Sequence, residues 1–189
     1  MSHLMIDLET LGTAVNAPII SIGAVFFDPN TGKLGEEFNQ SVDLASALKF
    51  GKASGDTIKW WMGQDDNARK SVTRGILTIE EVLSGFVTFV HKKDVNFLRV
   101  WGNGATFDIS ILEVAFTRVL GKPAPWKFWN VRDCRTIREL GDGIVEYEFV
   151  REGTHHDALD DAKFQAKWVS AYWQGIRKPK SESEIDDLL

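Results

Sequence analysis

The chain has 189 residues, of which 43% are hydrophobic and 26% charged, and it contains a single cysteine. These proportions fit one globular domain and exclude a disordered, collagen-like or disulfide-stapled chain. No apolar run reaches the roughly 18 residues that would span a bilayer, and the first ten residues carry two acids where a secretion signal would be basic and then apolar. We therefore predict a cytoplasmic protein without a membrane segment.

The net charge of -5 is unevenly distributed along the sequence. Residues 181–189 contain four acids and no base, so most of the negative charge lies in this terminal stretch. The rest of the chain is close to neutral, and the overall acidity therefore does not exclude a nucleic-acid partner. We predict one folded domain over residues 1–178, followed by a polar, acidic tail over residues 179–189.

In the first part of the chain, apolar and β-branched runs predict strands at residues 4–8 and 19–27. Residues 28–33 include Asp, Pro, Asn and Gly, which favours a turn, and a further strand at residues 36–42 would complete a hairpin. From about residue 57 the pattern changes and predicts short helices that are joined at Gly63.

A capping box predicts the start of the next helix, because Thr78 can accept a hydrogen bond from the backbone amide of Glu81. The remaining predicted elements are a strand at residues 97–101, a helix at 109–120 closed by Gly121, a strand at 128–131, a helix at 135–140 and a long helix at 159–174. A hairpin followed by strand–helix units predicts an α/β fold with a mixed sheet flanked by helices.

Asp7 and Glu9 lie two residues apart on an apolar strand, so both carboxylates leave the same face, with Cα atoms roughly 6.5 Å apart. Two like charges in a half-buried place are costly unless a cation neutralises them, and oxygen ligands suit Mg²⁺ or Mn²⁺. The alternative interpretation is the exposed acidic end of an edge strand.

Asp108 follows a predicted strand that ends in Gly-Asn-Gly, and it opens a helix, which is where α/β proteins tend to gather ligands. An ordinary helix N-cap is the alternative role for this residue. Phe107 beside it is either part of the core or a surface on which a nucleobase stacks.

A third group of polar residues precedes and opens the last helix. His155 and His156 lie just ahead of it, and an imidazole near a metal site can act as a general base on water. The alternative is a pair of exposed loop histidines followed by acids that favour the helix dipole. Helical periodicity does not choose between Asp160 and Asp161, because both point away from the apolar stripe.

In combination, these segments resemble the DEDDh branch of the DnaQ-like 3′-5′ exonuclease superfamily, which has an RNase H-like, five-stranded mixed sheet. Residues 6–10 resemble its Asp-x-Glu-Thr motif, and residues 102–108 resemble its second motif, which ends in Phe-Asp. Residues 156–162 resemble its His-x-Ala-x-x-Asp-Ala motif, and this match selects His156 and Asp161.

Residues 57–64 have the sequence Thr-Ile-Lys-Trp-Trp-Met-Gly-Gln, and they make the resemblance more specific to one branch of the superfamily. They are similar to the Trp-Trp-x-x-Gln stretch of the branch that holds phage exonuclease A, the exonuclease VIII nuclease domain and bacterial exoribonuclease-like relatives. The resemblance implies that this stretch lies near the substrate. The implied substrate-binding residues are Thr10, Leu11, Trp60, Gln64 and Phe107. One of the two tryptophans should be in the core, because adjacent helical residues cannot face the same partner.

The resemblance also implies a mechanism for residues 1–178. Asp7, Glu9, Asp108 and Asp161 would hold two divalent ions, Mg²⁺ or Mn²⁺, and His156 would deprotonate the attacking water. The expected substrates are single-stranded DNA or RNA 3′ ends, from which nucleoside 5′-monophosphates are removed. A free-standing nuclease of phage or prophage origin fits this description.

Several alternatives remain open at this point. A non-catalytic nucleic-acid-binding module or a partner-positioning subunit could use the same fold, and very short oligonucleotides or free nucleotide derivatives could be the substrate. Phe164 and Trp168, opposite the main apolar stripe of the last helix, could form a homodimer interface or another packed layer. Cys134 is predicted to be a buried small residue, because the mechanism needs no nucleophilic thiol.

Overall fold

The computed structural model describes residues 1–145, 150 and 156–178. The strands are β1 (His3–Thr10), β2 (Ile19–Asp28), β3 (Lys33–Ser41), β4 (Arg99–Gly102) and β5 (Val131–Asp133). The α-helices are α1 (Leu44–Phe50), α2 (Gly55–Met62), α3 (Asp66–Thr73), α4 (Ile79–Val90), α5 (Asp108–Leu120), α6 (Cys134–Gly141) and α7 (Ala158–Ile176). His155 and the tail over residues 179–189 lie outside the described residues.

The five strands form one sheet in the order β3-β2-β1-β4-β5. The pairs β1–β2 and β2–β3 are antiparallel, whereas β4 runs parallel to both β1 and β5. Strand β1 is therefore central and covered on both faces, which explains why nearly all of its residues are buried. The predicted hairpin and the mixed sheet are confirmed.

Helices cover the two faces of the sheet, and alternate residues of β1 face each layer. Leu4 and Ile6 belong to a core that includes side chains from α1, α4 and α5. Met5 faces a second core that includes side chains from α6 and α7. Because side chains alternate along a strand, Asp7 and Glu9 continue the face of Met5 and point toward α7.

Local sequence signals placed several element ends correctly. Both hydrogen bonds of the predicted capping box between Thr78 and Glu81 are present at the start of α4. Gly121 has a φ of 62° and closes α5 in the left-handed conformation, as expected. Among the described residues, none of the helices combines the length and apolarity that a bilayer crossing requires.

The strand predicted at residues 128–131 is wrong in its position. Phe128–Asn130 form a 3₁₀ turn, and β5 begins only at Val131. Three residues of β5 pair with β4, while the rings of Phe128 and Trp129 lie exposed and contact each other edge to face. The aromatic residues at 128 and 129 thus lie in an exposed turn and not in a buried strand. Helix α1 was not predicted.

Two other predictions about packing have clear outcomes. Trp61 is buried with Leu11 beneath α2, whereas Trp60 is exposed, so one tryptophan of the pair is in the core as expected. The face of α7 with Phe164 and Trp168 packs within the chain, as part of the layer that α6 shares. Cys134 is buried and carries a free thiol.

Candidate active site

The site begins at the carboxyl end of β1, where Asp7 lies opposite Gly23 of β2. A Cβ atom at Gly23 would lie only 2.0 Å from the carbonyl carbon of Ala158. The absence of a side chain at Gly23 therefore lets the first turn of α7 lie directly on the sheet. This contact brings the amino-terminal end of α7, with its acids, beside the acids of β1.

Asp108 enters from the other side, as the first residue of α5, and only 3% of it is exposed. Its Oδ1 accepts a hydrogen bond of 3.2 Å from the backbone amide of Leu8. Phe107 occupies the N-cap position, so the alternative role of Asp108 as a helix cap is not observed. Burial raises the pKa of Asp108 to about 7, against the opposing effect of the hydrogen bond from Leu8.

Glu9 of β1 comes together with His156 and Asp161, which lie before and within the first turns of α7. One ligand atom of each lies within 4.8 Å of the other two. This grouping includes Asp161, which the resemblance selected over Asp160 where periodicity could not decide. The other two carboxylates belong to Asp7, two residues before Glu9 on β1, and to Asp108, the first residue of α5.

His156 occupies a more constrained position than an exposed loop histidine would. It is half-buried, and its ring centroid lies 4.8 Å from that of Trp60 and 6.0 Å from that of Trp61, edge to face in both cases. Its φ of 61° is in the left-handed region, the one positive φ among the described non-glycine residues. Packing on α2 thus accompanies an uncommon backbone conformation at this residue.

Gln165 belongs to the site but was not predicted. Its side-chain amide donates a 2.7 Å hydrogen bond to Oδ1 of Asp7, and 5% of the residue is exposed. Gln165 lies four residues after Asp161 and therefore on the same face of α7, one turn further on. A polar amide at this spacing, next to the apolar stripe, was the signal that could have identified it.

A cleft of about 420 Å³ opens beside these groups. Glu9 and Thr10 line it from β1, Trp60 from α2 and Phe107 from the start of α5. The other lining residues are Leu8, Gly12, Thr13, Asp56, Thr57 and Trp61. Phe107 also packs against the larger core, so it both lines the cleft and belongs to the core.

Two of the proposed substrate-binding residues lie outside this lining. Leu11 is buried under Trp61, in a small apolar cluster. The side-chain amide of Gln64 donates a hydrogen bond to the carbonyl oxygen of Trp60, within its own turn of chain. The indole Nε1 of Trp61 donates to the carbonyl oxygen of Thr10 at 2.9 Å and ties α2 to the end of β1.

The donor set of the site fits a hard divalent cation. Its atoms are carboxylate oxygens and one imidazole nitrogen, which suit Mg²⁺ or Mn²⁺. Burial disfavours the ionised form of Asp108, and like charges of Asp7 and Glu9 on one face of β1 add repulsion. A bound cation would relieve both costs.

The mixed five-stranded sheet with helices on both faces matches the RNase H-like fold of solved exonucleases. The family described as the 3′-5′ exoribonuclease Rv2179c-like domain matches residues 2–173. The chain belongs to this family, and the predicted superfamily and fold are confirmed.

Individual relatives agree with this assignment. An exodeoxyribonuclease of Enterobacteria phage T4 is 28% identical over 225 aligned positions, which cover 100% of this chain and 97% of the relative. The nuclease domain of 3′hExo, a DEDDh family member solved with rAMP, has a TM-score of 0.60 at 17% identity, with 95% of this chain and 96% of that chain covered. Exonuclease I of E. coli, solved with a 5cy-dA13 oligonucleotide, has a TM-score of 0.64 at 14% identity, covering 89% of this chain and 39% of that chain.

Proposed function

We propose that the protein is a metal-dependent 3′-5′ exonuclease of the DEDDh type that removes nucleoside 5′-monophosphates from single-stranded 3′ ends. The observation that carries this proposal is the approach of Glu9, His156 and Asp161 to within 4.8 Å, with Glu9 also lining a cleft. Asp7 and Asp108 complete the set of acids that the family motifs require. The family assignment supports the same reaction class.

Asp7, Glu9, Asp108 and Asp161 are the residues that would hold two divalent ions, Mg²⁺ or Mn²⁺. When bound, such ions stabilise the charge on the attacking and leaving oxygens of an in-line displacement at phosphorus. Gln165 holds Oδ1 of Asp7 from the side of α7. The amide of Leu8 holds Oδ1 of Asp108 from the side of β1.

His156 is proposed as the general base, because its imidazole lies beside Glu9 and Asp161 and is packed against Trp60. It would accept a proton from the attacking water as the water oxygen bonds to phosphorus. The bond from phosphorus to the O3′ atom of the preceding nucleotide then breaks. A nucleoside 5′-monophosphate leaves, and the O3′ atom of the shortened strand takes up a proton.

The cleft supplies surfaces for the terminal nucleotides. Trp60 is 45% exposed and lines the cleft together with Phe107, and aromatic faces bind unpaired bases without regard to sequence. Thr10 offers a hydroxyl at the same place, although it also donates to the carbonyl oxygen of Gly12. The family description names RNA and the phage relative DNA, so we propose single strands of either sugar as substrates.

The test uses 5′-labelled single-stranded DNA and RNA of equal sequence, incubated with Mg²⁺, with Mn²⁺ and with chelator. A ladder that shortens from the 3′ end, requires metal and is absent with Asp7→Ala is expected. The relative rates identify the preferred sugar. Circular dichroism of Asp7→Ala verifies that the variant is folded.

Two results would contradict this proposal. Binding of both strands without any metal-dependent shortening would replace the exonuclease by a non-catalytic nucleic-acid-binding module. Undiminished hydrolysis by Asp7→Ala would place the reaction at a different site.

His156→Ala is expected to slow the reaction by about 100-fold or more at neutral pH, and an unchanged rate would move the role of general base to another group.

A further inference from the structure

Arg74, directly after α3, joins two distant parts of the fold. Its Nη2 lies 3.0 Å from Oδ2 of Asp157, the residue that precedes α7. Its Nε donates a 2.8 Å hydrogen bond to Oγ of Ser41, the last residue of β3. The guanidinium group therefore connects the end of the sheet to the residue that follows His156.

The other carboxylate oxygen of Asp157 has a separate role. Oδ1 accepts hydrogen bonds from the backbone amides of Leu159 and Asp160 at 3.1 and 3.3 Å, which is the N-cap of α7. Asp157 thus fixes the start of α7 with one oxygen and binds Arg74 with the other. His156 is its immediate neighbour and has the left-handed φ of 61°, a conformation that persists only when its surroundings impose it.

We infer that Arg74 is a positioning residue for His156 and acts on it through Asp157. This inference rests on the proposed function of His156 as general base. Trp60 and Trp61 of α2 contact the imidazole ring, while Arg74 binds the side-chain carboxylate of the next residue, Asp157. The segment from α2 to Arg74 therefore contacts both His156 and its neighbour Asp157. Trp60 of the same segment also lines the cleft.

The chain that follows Arg74 packs closely on the end of the sheet. A Cβ atom at Gly75 would lie 2.1 Å from the carbonyl oxygen of Val42, so the chain after Arg74 lies directly on the backbone that follows β3. Val42 and Leu77 also form a parallel bridge. Because the chain after Arg74 packs on the sheet and its Nε is bonded to Ser41, its guanidinium group links the position of the sheet to Asp157.

The ion pair is too exposed to contribute much to stability, since the Arg74 side chain is 46% exposed and that of Asp157 is 18% exposed. A positioning role and a structural role therefore make different predictions. Loss of Arg74 should lower kcat while the melting temperature and KM remain nearly unchanged. A purely structural role would lower the melting temperature. Its effect on activity would then be the same in enzymes with and without His156.

The first experiment compares Arg74→Ala with wild-type enzyme on one labelled oligonucleotide. We expect kcat to fall about tenfold, which is part of the roughly 100-fold effect of a general base, with KM within twofold. Arg74→Lys should recover part of this loss. Lys163→Ala is the matched control, because it removes an ion pair of 2.9 Å between α7 and Glu37 of β3 and should leave kcat unchanged.

Asp157→Asn tests the same contact without disturbing the helix cap, and it keeps the inference testable if Arg74→Ala does not fold. Asn is as good an N-cap as Asp, but it removes the charge that Arg74 binds. The same tenfold loss of kcat is expected. A kcat equal to that of wild-type enzyme in folded Asp157→Asn would overturn the inference.

A double-mutant cycle with His156→Ala separates the inference from the proposed function. If Arg74 acts through His156, Arg74→Ala should cause less than a twofold further loss when His156 is already absent. An independent tenfold loss in that background would overturn the role of Arg74 but would leave His156 as the base. Full activity of His156→Ala alone would overturn the proposed base itself, whatever Arg74 does.

Discussion

Gln165 of α7 holds Asp7 of β1 by a hydrogen bond of 2.7 Å from its amide nitrogen to Oδ1, in a place where only 5% of Gln165 is exposed. The contact joins the long helix to the central strand at the first acid of the site. The amide oxygen of Gln165 is also buried and has no hydrogen-bond partner among the described residues. Gln165 thus orients Asp7, while its own buried amide oxygen accepts no hydrogen bond from the described residues.

Replacing Gln165 by Leu should therefore separate activity from stability. We expect kcat to fall about tenfold, because Asp7 loses the donor that orients it. The melting temperature should change little, since the lost bond to a charged group, about 1.5–3 kcal/mol, is offset by removal of a buried unsatisfied acceptor, about 1–3 kcal/mol. Steady-state kinetics and thermal unfolding measure the two quantities.

Gln174→Leu is the control for that prediction. Gln174 lies on the same helix, and its amide donates to the carbonyl oxygen of Pro29, away from the acids. Its loss should leave kcat unchanged. An equal fall of kcat in both variants would mean that the effect arises from α7 as a whole and not from Asp7.

Gly23→Ala should disturb both folding and the site. The added Cβ would lie about 2 Å from backbone atoms of Ala158, which cannot move aside as a flexible side chain could. We expect a loss of about 3 kcal/mol or more in the free energy of unfolding, at the upper end for an overpacked core, and strongly reduced activity. Urea unfolding and the oligonucleotide assay measure the two effects.

Gly55→Ala provides the matched substitution, because a Cβ at Gly55 would meet nothing within 4 Å at the start of α2. Alanine there should raise the free energy of unfolding by about 0.5–1 kcal/mol through its better helix propensity. If Gly23→Ala were as stable as Gly55→Ala, the start of α7 would not depend on close approach to β2.

Signals that act over a few residues were sufficient for several features of this fold. The capping box at Thr78 and the left-handed Gly121 required only local chemistry, and both ends were predicted correctly. Helix α1 was not predicted, because seven residues are too few to establish a helical period. Its N-cap is Asp43, whose side chain accepts a hydrogen bond from the backbone amide of Ser46. The strand expected at residue 128 failed because exposed aromatic residues resembled a buried run.

Features of the site that depend on distant contacts were not accessible in this way. Asp160 and Asp161 are equivalent by helical period, and only the approach of Glu9 from β1 distinguishes Asp161. The hydrogen bond from Leu8 to Asp108 joins residues 100 positions apart in the sequence, so it depends on the approach of β1 to α5. The resemblance to a family carried that tertiary information, and residue chemistry alone did not.

Metal binding should be measurable as a gain in thermal stability. Binding to the folded state alone raises the melting temperature with ligand concentration, and the clustered acids make the metal-free site electrostatically unfavourable. We expect Mn²⁺ or Mg²⁺ at millimolar concentration to raise the melting temperature of the wild-type protein by several degrees over that in chelator. Differential scanning calorimetry gives both values.

Glu9→Gln should lose most of this gain, because it removes a carboxylate from the group formed with His156 and Asp161. In chelator, the variant should be at least as stable as the wild-type protein, since one of the mutually repelling charges is gone. Glu36→Gln is the control, because Glu36 binds Lys92 and Lys93 on the surface. An equal metal response in wild-type and Glu9→Gln protein would show that the ions bind elsewhere.

The stability of the fold should also depend on pH through His3, which is buried near the start of β1. Nε1 of Trp101 donates a 2.9 Å hydrogen bond to Nδ1 of His3, so this nitrogen must be unprotonated. Burial, with a smaller contribution from the charge of Arg99, lowers the pKa of His3 from 6.5 to about 4. Above pH 6.5 the imidazole is neutral in both the folded and the unfolded chain.

Between pH 6.5 and 4, His3 binds a proton in the unfolded chain but stays neutral in the folded one. The free energy of unfolding therefore falls as the pH is lowered through this window. We expect His3 to account for about 2 kcal/mol of that loss, after allowance for solvent screening. His3→Gln keeps an acceptor for Trp101 but cannot titrate. Urea unfolding at pH 7 and at pH 4.5 should therefore show a smaller decline for His3→Gln than for wild-type protein. Parallel declines in the two proteins would mean that His3 is protonated as easily in the fold as in water.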